Sequence, residues 1–396
     1  MYRKSDKQVF APRELLHQLR KSDSLKYFFR NGKLSRAELS RYLSTSQTVA
    51  AKIVNDLLNE GWCVECEYVY TGRRPAKLLR LNTLGSWFLG LSTNEQNGGI
   101  WLVAFDFENN ILWEKEEFCE DCSSGEAAIK WLKKAVLDFR GEVGKRFPCR
   151  RLLACAGIIG CIKTSDNQIM QASFNISNCN LDKELTNLLG VSSVVEDIPV
   201  AMIMREYWSS MYNAAESYLY INALPFVHSA LLLDGKIIRG KNGLAGRLGL
   251  MVFADAKHCL RPLFDLIDRD VMQLSEVGYT SAWKNPENFY KSTACFMYPE
   301  VLIPRIPDFS EALVLGVNAM LAAFAPHQVV IGGIPDFCHQ EFQDSFAASC
   351  AKMPSESPIV NQKFRIIHTS KQTYVEAMKS EIFSLVSENY HQSFNN

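Results

Sequence analysis

Residues 35–61 read SRAELSRYLSTSQTVAAKIVNDLLNEG. Ser35 and Glu38 have the S-x-x-E spacing of a capping box, in which the hydroxyl accepts from the N3 amide and the carboxylate reaches back to the cap's own N–H. A helix therefore starts at Ser35, with Ala37, Leu39 and Leu43 on one apolar side. Ser44-Thr45-Ser46 breaks it. Ser46 caps a second helix that turns Val49 or Ala50, Ile53, Val54, Leu57 and Leu58 inward, and Gly61 supplies the C′ stop. Gln47, Thr48, Ala51 and Lys52 are left facing outward in its first two turns. That set can hydrogen-bond base edges, touch a thymine methyl and meet a phosphate. The pair predicts a helix-turn-helix DNA reader, with Ser35, Arg36 and Ser46 as further candidate contacts at the helix starts. Two small helices with a short link also occur as a piece of helical core, and the residues after Gly61 tip the balance between the two.

Trp62 to Tyr70, WCVECEYVY, alternates like a strand, Thr71-Gly72-Arg73-Arg74-Pro75 turns, and Ala76 to Leu81 alternates again. This is a β-hairpin wing with Arg73 and Arg74 at its tip. Held there by Gly and Pro, the two arginines suit a narrow, electronegative minor groove, whereas an ordinary solvated turn is the plainer alternative. Charge sides with DNA. The chain is neutral overall, with 43 basic and 43 acidic side chains, yet residues 1–82 hold 16 basic against 8 acidic and the remainder 27 against 35. Such asymmetry points to nucleic-acid contact by the amino-terminal part alone.

At 396 residues and 47% hydrophobic content the chain is long enough for two or three domains. No run approaches 18 uninterrupted apolar residues, and MYRKSDKQVFAPRELL lacks the apolar core of a secretion signal, so a cytoplasmic protein with no membrane partner is the expectation. The twelve cysteines are scattered, many in apolar runs, and read as free buried thiols. Of two CxxC pairs, Cys63/Cys66 lies in a predicted strand where residues three apart face opposite ways, and Cys119/Cys122 lies in an acidic turn; both read as structural or incidental. The seven histidines show no metal-binding spacing, and no nucleophile-base-acid signature is visible.

From residue 87 the text becomes α/β. WFLGLST, GIWLVAFDF and ILWEKEEF predict three strands with a hairpin turn at Asp106–Asn110, followed by a helix from about Ser124 to Val143 and a buried strand RLLACAGIIGCIK. A comparable order recurs in SYLYINA, FVHSALLLDGKIIRG with Asp234-Gly235 at its turn, and the uniformly apolar helix ALVLGVNAMLAAF before QVVIGG. Two similar lobes with a ligand cleft between them fit better than one barrel.

On LSRAELSRYLSTSQTVAAKIVNDLLNEG, TGRRPAKLLRLN, RGKNGLAGRLGLM and FAPHQVVIGG, over nearly its full length, the chain resembles the ROK family (repressor, open reading frame, kinase). It is most similar to the regulators of that family. The resemblance implies a winged helix-turn-helix in residues 1–82 and, in 83–396, a two-lobed actin-like sugar-kinase (ribonuclease H-like) ATPase fold. Lobe 1 would span about 83–200 plus a carboxy-terminal helix at about 371–390, and lobe 2 about 201–370.

Carried over residue by residue, the family's functional groups are largely missing. The first phosphate loop appears as Leu91-Ser92-Thr93-Asn94-Glu95-Gln96-Asn97-Gly98-Gly99 without its aspartate. The second, Asn222-Ala223-Leu224-Pro225-Phe226-Val227-His228-Ser229, has no glycine to let amides approach a nucleotide. The family's sugar-binding Asn-Asp appears as Glu196-Asp197, and its Gly-Glu-Ile-Gly-His as Gly246-Arg247-Leu248-Gly249-Leu250. Its zinc motif shrinks to Ala256-Lys257-His258-Cys259, with Arg261 where a glutamate is expected. No catalytic residue, cofactor or metal is expected. Glu196, Asp197, Asn242, Arg247 and Arg261 remain as candidate ligand contacts. Arg247 and Arg261 either form a cationic pocket for an acidic sugar, sugar phosphate or other anion, or pair with Asp197, Glu196 or surface acids.

The expectation is a transcriptional regulator, a repressor of carbohydrate genes, binding a double-stranded operator as a homodimer or tetramer and answering to a sugar-like effector. Two alternatives stand beside it: a sugar kinase retaining Asp197 as general base, and a constitutive DNA-binding protein blind to ligands.

Overall fold

The computed structural model describes residues 13–70, 75–94, 99–119, 124–209, 217–224, 227–254, 260–263 and 299–388. Arg73, Arg74, Glu95 to Gly98, Pro225, Phe226 and Ala256 to Cys259 lie outside them, as does Cys122.

The chain begins with α1 (Arg13–Asn31), then β1 (Leu34–Ser35), α2 (Arg36–Tyr42) and α3 (Gln47–Glu60), followed by the hairpin β2 (Cys63–Tyr70) and β3 (Pro75–Leu81). β1 pairs antiparallel with β3, which makes a three-stranded sheet in the order β1-β3-β2. This is a winged helix. Leu39 on α2 and Ala50, Ile53, Val54 and Leu57 on α3 are fully enclosed, while Val49 and Leu58 pack part-buried around them. Ala37, expected inside, is exposed, because the seven-residue α2 turns Leu39 and Ser40 inward. Gly61 ends α3 in the left-handed region at φ 84°, a conformation that favours glycine.

Two sheets follow with the same plan. The first comprises β4 (Ser86–Asn94), β5 (Gly99–Phe105), β6 (Ile111–Phe118), β7 (Arg151–Ile159) and β10 (Ser192–Asp197), in the order β10-β7-β4-β5-β6. The second comprises β11 (Tyr218–Asn222), β12 (His228–Leu233), β13 (Lys236–Ile237), β16 (Gln328–Ile334) and β17 (Phe364–His368), in the order β17-β16-β11-β12-β13. In each, the first three strands form an antiparallel meander and the last two join in parallel on its other side. The recurrence seen in the sequence is therefore a repeated topology. RLLACAGIIGCIK is not one strand: it breaks at Gly160, and β8 (Cys161–Lys163) forms a separate hairpin with β9 (Ile169–Ala172).

Helices cover the sheets: α4 (Gly125–Arg146) and α5 (Leu181–Leu189) on lobe 1, α7 (Ile306–Phe324) and α8 (His339–Ala351) on lobe 2. α6 (Ile198–Ser209) runs directly from the end of β10 and touches both sheets. The last helix, α9 (Lys371–Glu388), returns to lobe 1, packing on α6, β4, β7 and β10, and it also reaches α1 of the winged helix.

The winged helix is fastened to lobe 1 by aromatic packing. Trp62 lies 6.1 Å from Phe88 and 6.2 Å from Phe107, centroid to centroid, and Phe88 meets Phe107 edge-on at 4.7 Å. All three rings are buried, each contributing about 1.5–3 kcal/mol by removal from water. Asn82 spans the junction, donating from its side chain to Gly61 O at 3.1 Å and accepting from Gly85 N at 2.9 Å. Cys119 is disulfide-bonded, so the expectation of free thiols does not hold for it; eight other described cysteines are free.

Candidate nucleic-acid interface and inter-lobe cleft

The candidate DNA-facing surface is built by its caps. Ser35 Oγ accepts from Glu38 N at 3.3 Å, while Glu38 Oε2 accepts from Ser35 N at 2.7 Å and from its hydroxyl at 2.8 Å. The backbone N–H of Ser35, and then its hydroxyl, hold the Glu38 carboxyl below the usual range. Ser46 Oγ accepts from Val49 N at 3.3 Å. Ser35 is thereby buried and occupied as a cap, whereas Gln47, Thr48 and Lys52 are exposed on α3 and Ala51 is half-buried among them. Arg36 is drawn to the wing, 2.8 Å from Glu65, which also holds Lys77 at 2.5 Å.

Three features escape sequence inspection. Tyr68 and Tyr70 stand 60% and 81% exposed on the wing; only the outward parity of an edge strand hints at this. His17 of α1 is 2.6 Å from Asp56, and Lys21 pairs with Glu60, so α1 braces the back of α3. Arg151, the first residue of β7, donates to Asn59 O at 3.0 Å. A cation there complements the carboxy-terminal end of α3 and ties it to an inner strand of lobe 1.

The inter-lobe cleft is closed by buried ion pairs. Asp197, the last residue of β10, accepts from Cys161 N at 3.1 Å and lies 2.9 Å from Arg247 of lobe 2, whose guanidinium also donates to Cys161 O. Glu196 holds Arg239 of lobe 2 at 2.6 Å and Lys163 at 3.1 Å. Lys163 also reaches Asp182 at 2.8 Å and Val195 O at 2.7 Å. Burial by itself would raise Glu196, but Arg239 and Lys163 outweigh it and keep this carboxyl ionised. Burial lifts Asp197 despite Arg247. His228 on β12 is pushed down to about 3 by burial and then by Arg247, and so is neutral. Gly243, at φ 70°, lies so close to Lys163 O that a Cβ would stand 2.3 Å away, which lets the lobe 2 loop meet lobe 1 backbone to backbone. Beside the Arg247–Asp197 pair about 20 Å³ of space remains, room for one water.

Of the candidate ligand contacts, the fold brings Glu196, Asp197 and Arg247 together, with both acids and Arg247 committed to one another or to neighbouring groups. Asn242 sits exposed in a left-handed turn at φ 58°. Arg261 is placed by its backbone in β15 (Leu260–Pro262), paired with Phe253 of β14 (Val252–Ala254); its side chain is not among those described. In the segment matching the second phosphate loop, Ala223, Leu224 and Val227 are buried in the core of lobe 2. Among the described residues no cluster of three metal-ligating side chains occurs.

No protein-family model matches the chain. Its sequence is 23% identical over 351 residues to the xylose repressor of Caldicellulosiruptor bescii, covering 83% of this chain and 86% of that one. Its fold is that of a solved ROK family transcriptional regulator, a homologue of the E. coli MLC protein, with a TM-score of 0.71 at 15% identity over 96% of this chain and 98% of the other. A ROK family glucokinase from Streptomyces griseus, solved with glucose and AMPPNP, superimposes with a TM-score of 0.52 at 13% identity, covering 74% of this chain and 98% of the kinase. The resemblance read from the sequence motifs is borne out at the level of the fold: a mixed α/β chain with the two-lobed architecture of ROK regulators and sugar kinases.

Proposed function

We propose that this chain, which carries the ROK regulator fold along almost its whole length, is a DNA-binding transcriptional repressor of carbohydrate genes whose kinase-like part senses a sugar without phosphotransfer. The observation that supports this most is the amino-terminal module: two capped helices present Gln47, Thr48 and Lys52 to solvent beside a wing, and a buried aromatic contact fixes them to lobe 1. Dimerisation would set two such helices to match half-sites about one turn of DNA apart. A sugar that prefers one inter-lobe or inter-subunit geometry would then shift operator affinity by its differential binding. Because a relative is named as a xylose repressor, D-xylose is the first effector to try.

Absence of catalysis is supported by chemistry rather than by fold. A general base needs a free carboxylate beside the hydroxyl it deprotonates, and Asp197 is tied to Arg247 with space for a single water alongside.

Two assays test this reading together. Fluorescence anisotropy with duplexes from the region upstream of the chain's own coding sequence should give tight, salt-dependent binding, and D-xylose should weaken it. Coupled ATP-consumption assays across common hexoses, pentoses and amino sugars should stay at background. Turnover of any sugar, or duplex affinity no better than for random sequence, would reject it.

A further inference from the structure

Adjoining the small space beside Asp197, with which it shares Lys163, Val200, Ile237 and Arg239, a cavity of about 480 Å³ lies between the edge of β10, helices α6 and α9, and the β12–β13 hairpin. The hairpin turns at Asp234 and Gly235, both with positive φ, and brings Lys236 and Ile237 to the rim. One wall is apolar, formed by Val200 and Met204 of α6 with Leu385 of α9. The facing wall is the ion-pair network of Lys163, Asp182, Glu196 and Arg239. Ser165 and Asn167, on the β8–β9 turn, edge the opening.

We infer that this cavity, rather than the Asp197 cleft, receives a neutral polyhydroxylated ligand of monosaccharide size, and that α9 relays its occupancy to the DNA-binding module. The inference rests on the regulator reading above and assigns its effector site.

Size, charge and shape each point the same way. The volume falls within the range of small-molecule sites, whereas the space beside Asp197 does not. Lining cations (Lys163, Lys236, Arg239) are matched in number by lining carboxylates (Asp182, Glu196, Glu381), and Lys163, Asp182, Glu196 and Arg239 pair within the wall. With the lining charges balanced, an anion or a cation gains little over water, but hydroxyls can insert among the existing donors and acceptors. A sugar ring has an apolar C–H face for Val200, Met204 and Leu385 and a hydroxyl edge for the charged wall.

The relay is a matter of packing. Met204 and Leu385 lie on the two sides of the α6–α9 seam, and α9 continues along lobe 1 to pack on α1. α1 in turn holds α3 through His17–Asp56 and Lys21–Glu60. A ligand that spreads or tightens the seam therefore acts on the helix that carries Gln47, Thr48 and Lys52. For this to regulate, ligand and DNA must prefer different seam geometries, and the coupling must be reciprocal.

The test uses the full chain with D-xylose and D-glucose. Methyl-labelled methionine spectra, recorded without DNA, should show the Met204 resonance moving on titration. Ser165→Trp, a substitution at an exposed position that plugs the opening, should weaken the calorimetric affinity by about tenfold or more and abolish sugar-driven release from the duplex, while duplex binding without sugar persists. Met204→Trp, which fills the cavity from inside, should do the same if it folds. A sugar that binds with Met204 unmoved and Ser165→Trp without effect overturns the site. Neither sugar binding at millimolar concentration overturns it as well, even where duplex binding is intact. A moved Met204 with unchanged duplex affinity overturns the relay. Loss of duplex binding in the unsubstituted chain rejects the regulator reading instead, and the spectra still decide the site.

Discussion

Arg247 of lobe 2 stands 2.9 Å from Asp197 of lobe 1, with side chains only 9% and 4% exposed. The pair neutralises the one carboxylate expected to serve a kinase, and it latches the two lobes. Removing one partner of a buried pair strands the other. Arg247→Ala is expected to lower unfolding free energy by roughly 3–5 kcal/mol, while an apolar pair of matching volume at 197 and 247 recovers most of it. Urea denaturation of the two single variants and the double gives the coupling directly. Additive single effects would mean that the latch does not exist.

The capping box sets the entry to the helix pair. Ser35→Ala should cost about 1 kcal/mol, with duplex affinity falling alongside as α2 frays. Glu38 adds a pH signature. Its carboxyl is depressed below 4.5 in the fold, so its contribution is present above that value and is lost as pH falls through the lower folded pKa. The stability gap between the parent and Glu38→Gln should be constant from neutral pH to about 5 and close below 4.5. A gap that persists at pH 3 would mean that the carboxylate charge plays no part in the cap.

On the proposed DNA face, phosphate and base contacts have different signatures. Lys52→Ala should weaken binding to all duplexes alike and reduce the salt slope by about one, whereas Gln47→Ala should cost about 1–3 kcal/mol on the cognate duplex and little on random sequence. Arg36→Ala should act mainly through the lost Glu65 contact, with a small change in slope. Salt titrations of anisotropy-derived affinities separate these cases. Equal effects of Gln47→Ala on cognate and random duplexes would remove α3 as the reader.

Thiol reactivity tracks burial. Burial pushes Cys63 and Cys155 up to about 12 and Cys161 well above its ordinary value, whereas Cys149 is the exposed free thiol among the described residues. Brief alkylation of the native protein followed by peptide mapping should label Cys149 first, and Cys149→Ser should remove that phase. Early label on Cys155 or Cys161 would mean that the core of lobe 1 opens on the same timescale.

How much was legible in the sequence depended on the range of the interaction. Ser35, Glu38, Ser46 and Gly61 act within one turn of chain, so their spacing predicts both helices and where they stop. The β-meander turns at Asp106 and at Asp234-Gly235 are equally local. Ala37 faces solvent because so short a helix takes its orientation from the neighbours that Leu39 meets, not from its own periodicity. The strand through Cys155 read as continuous because apolar residues run past Gly160, where the backbone leaves the sheet.

By itself the sequence determined the segments and their chemistry: a capped helix pair, a charge imbalance between residues 1–82 and the rest, and an α/β part in which the resemblance to the ROK family implies exchanged glycines and acids. Only the tertiary structure decided which charges meet. Arg247 follows Asp197 by fifty positions and Arg239 follows Glu196 by forty-three, and nothing in local spacing distinguishes a cationic pocket from a latch between lobes. Chain spacing fixes what a residue can do within a turn of helix or across a hairpin. Burial, which sets whether a charge must find a partner, is a property of the packed lobes together.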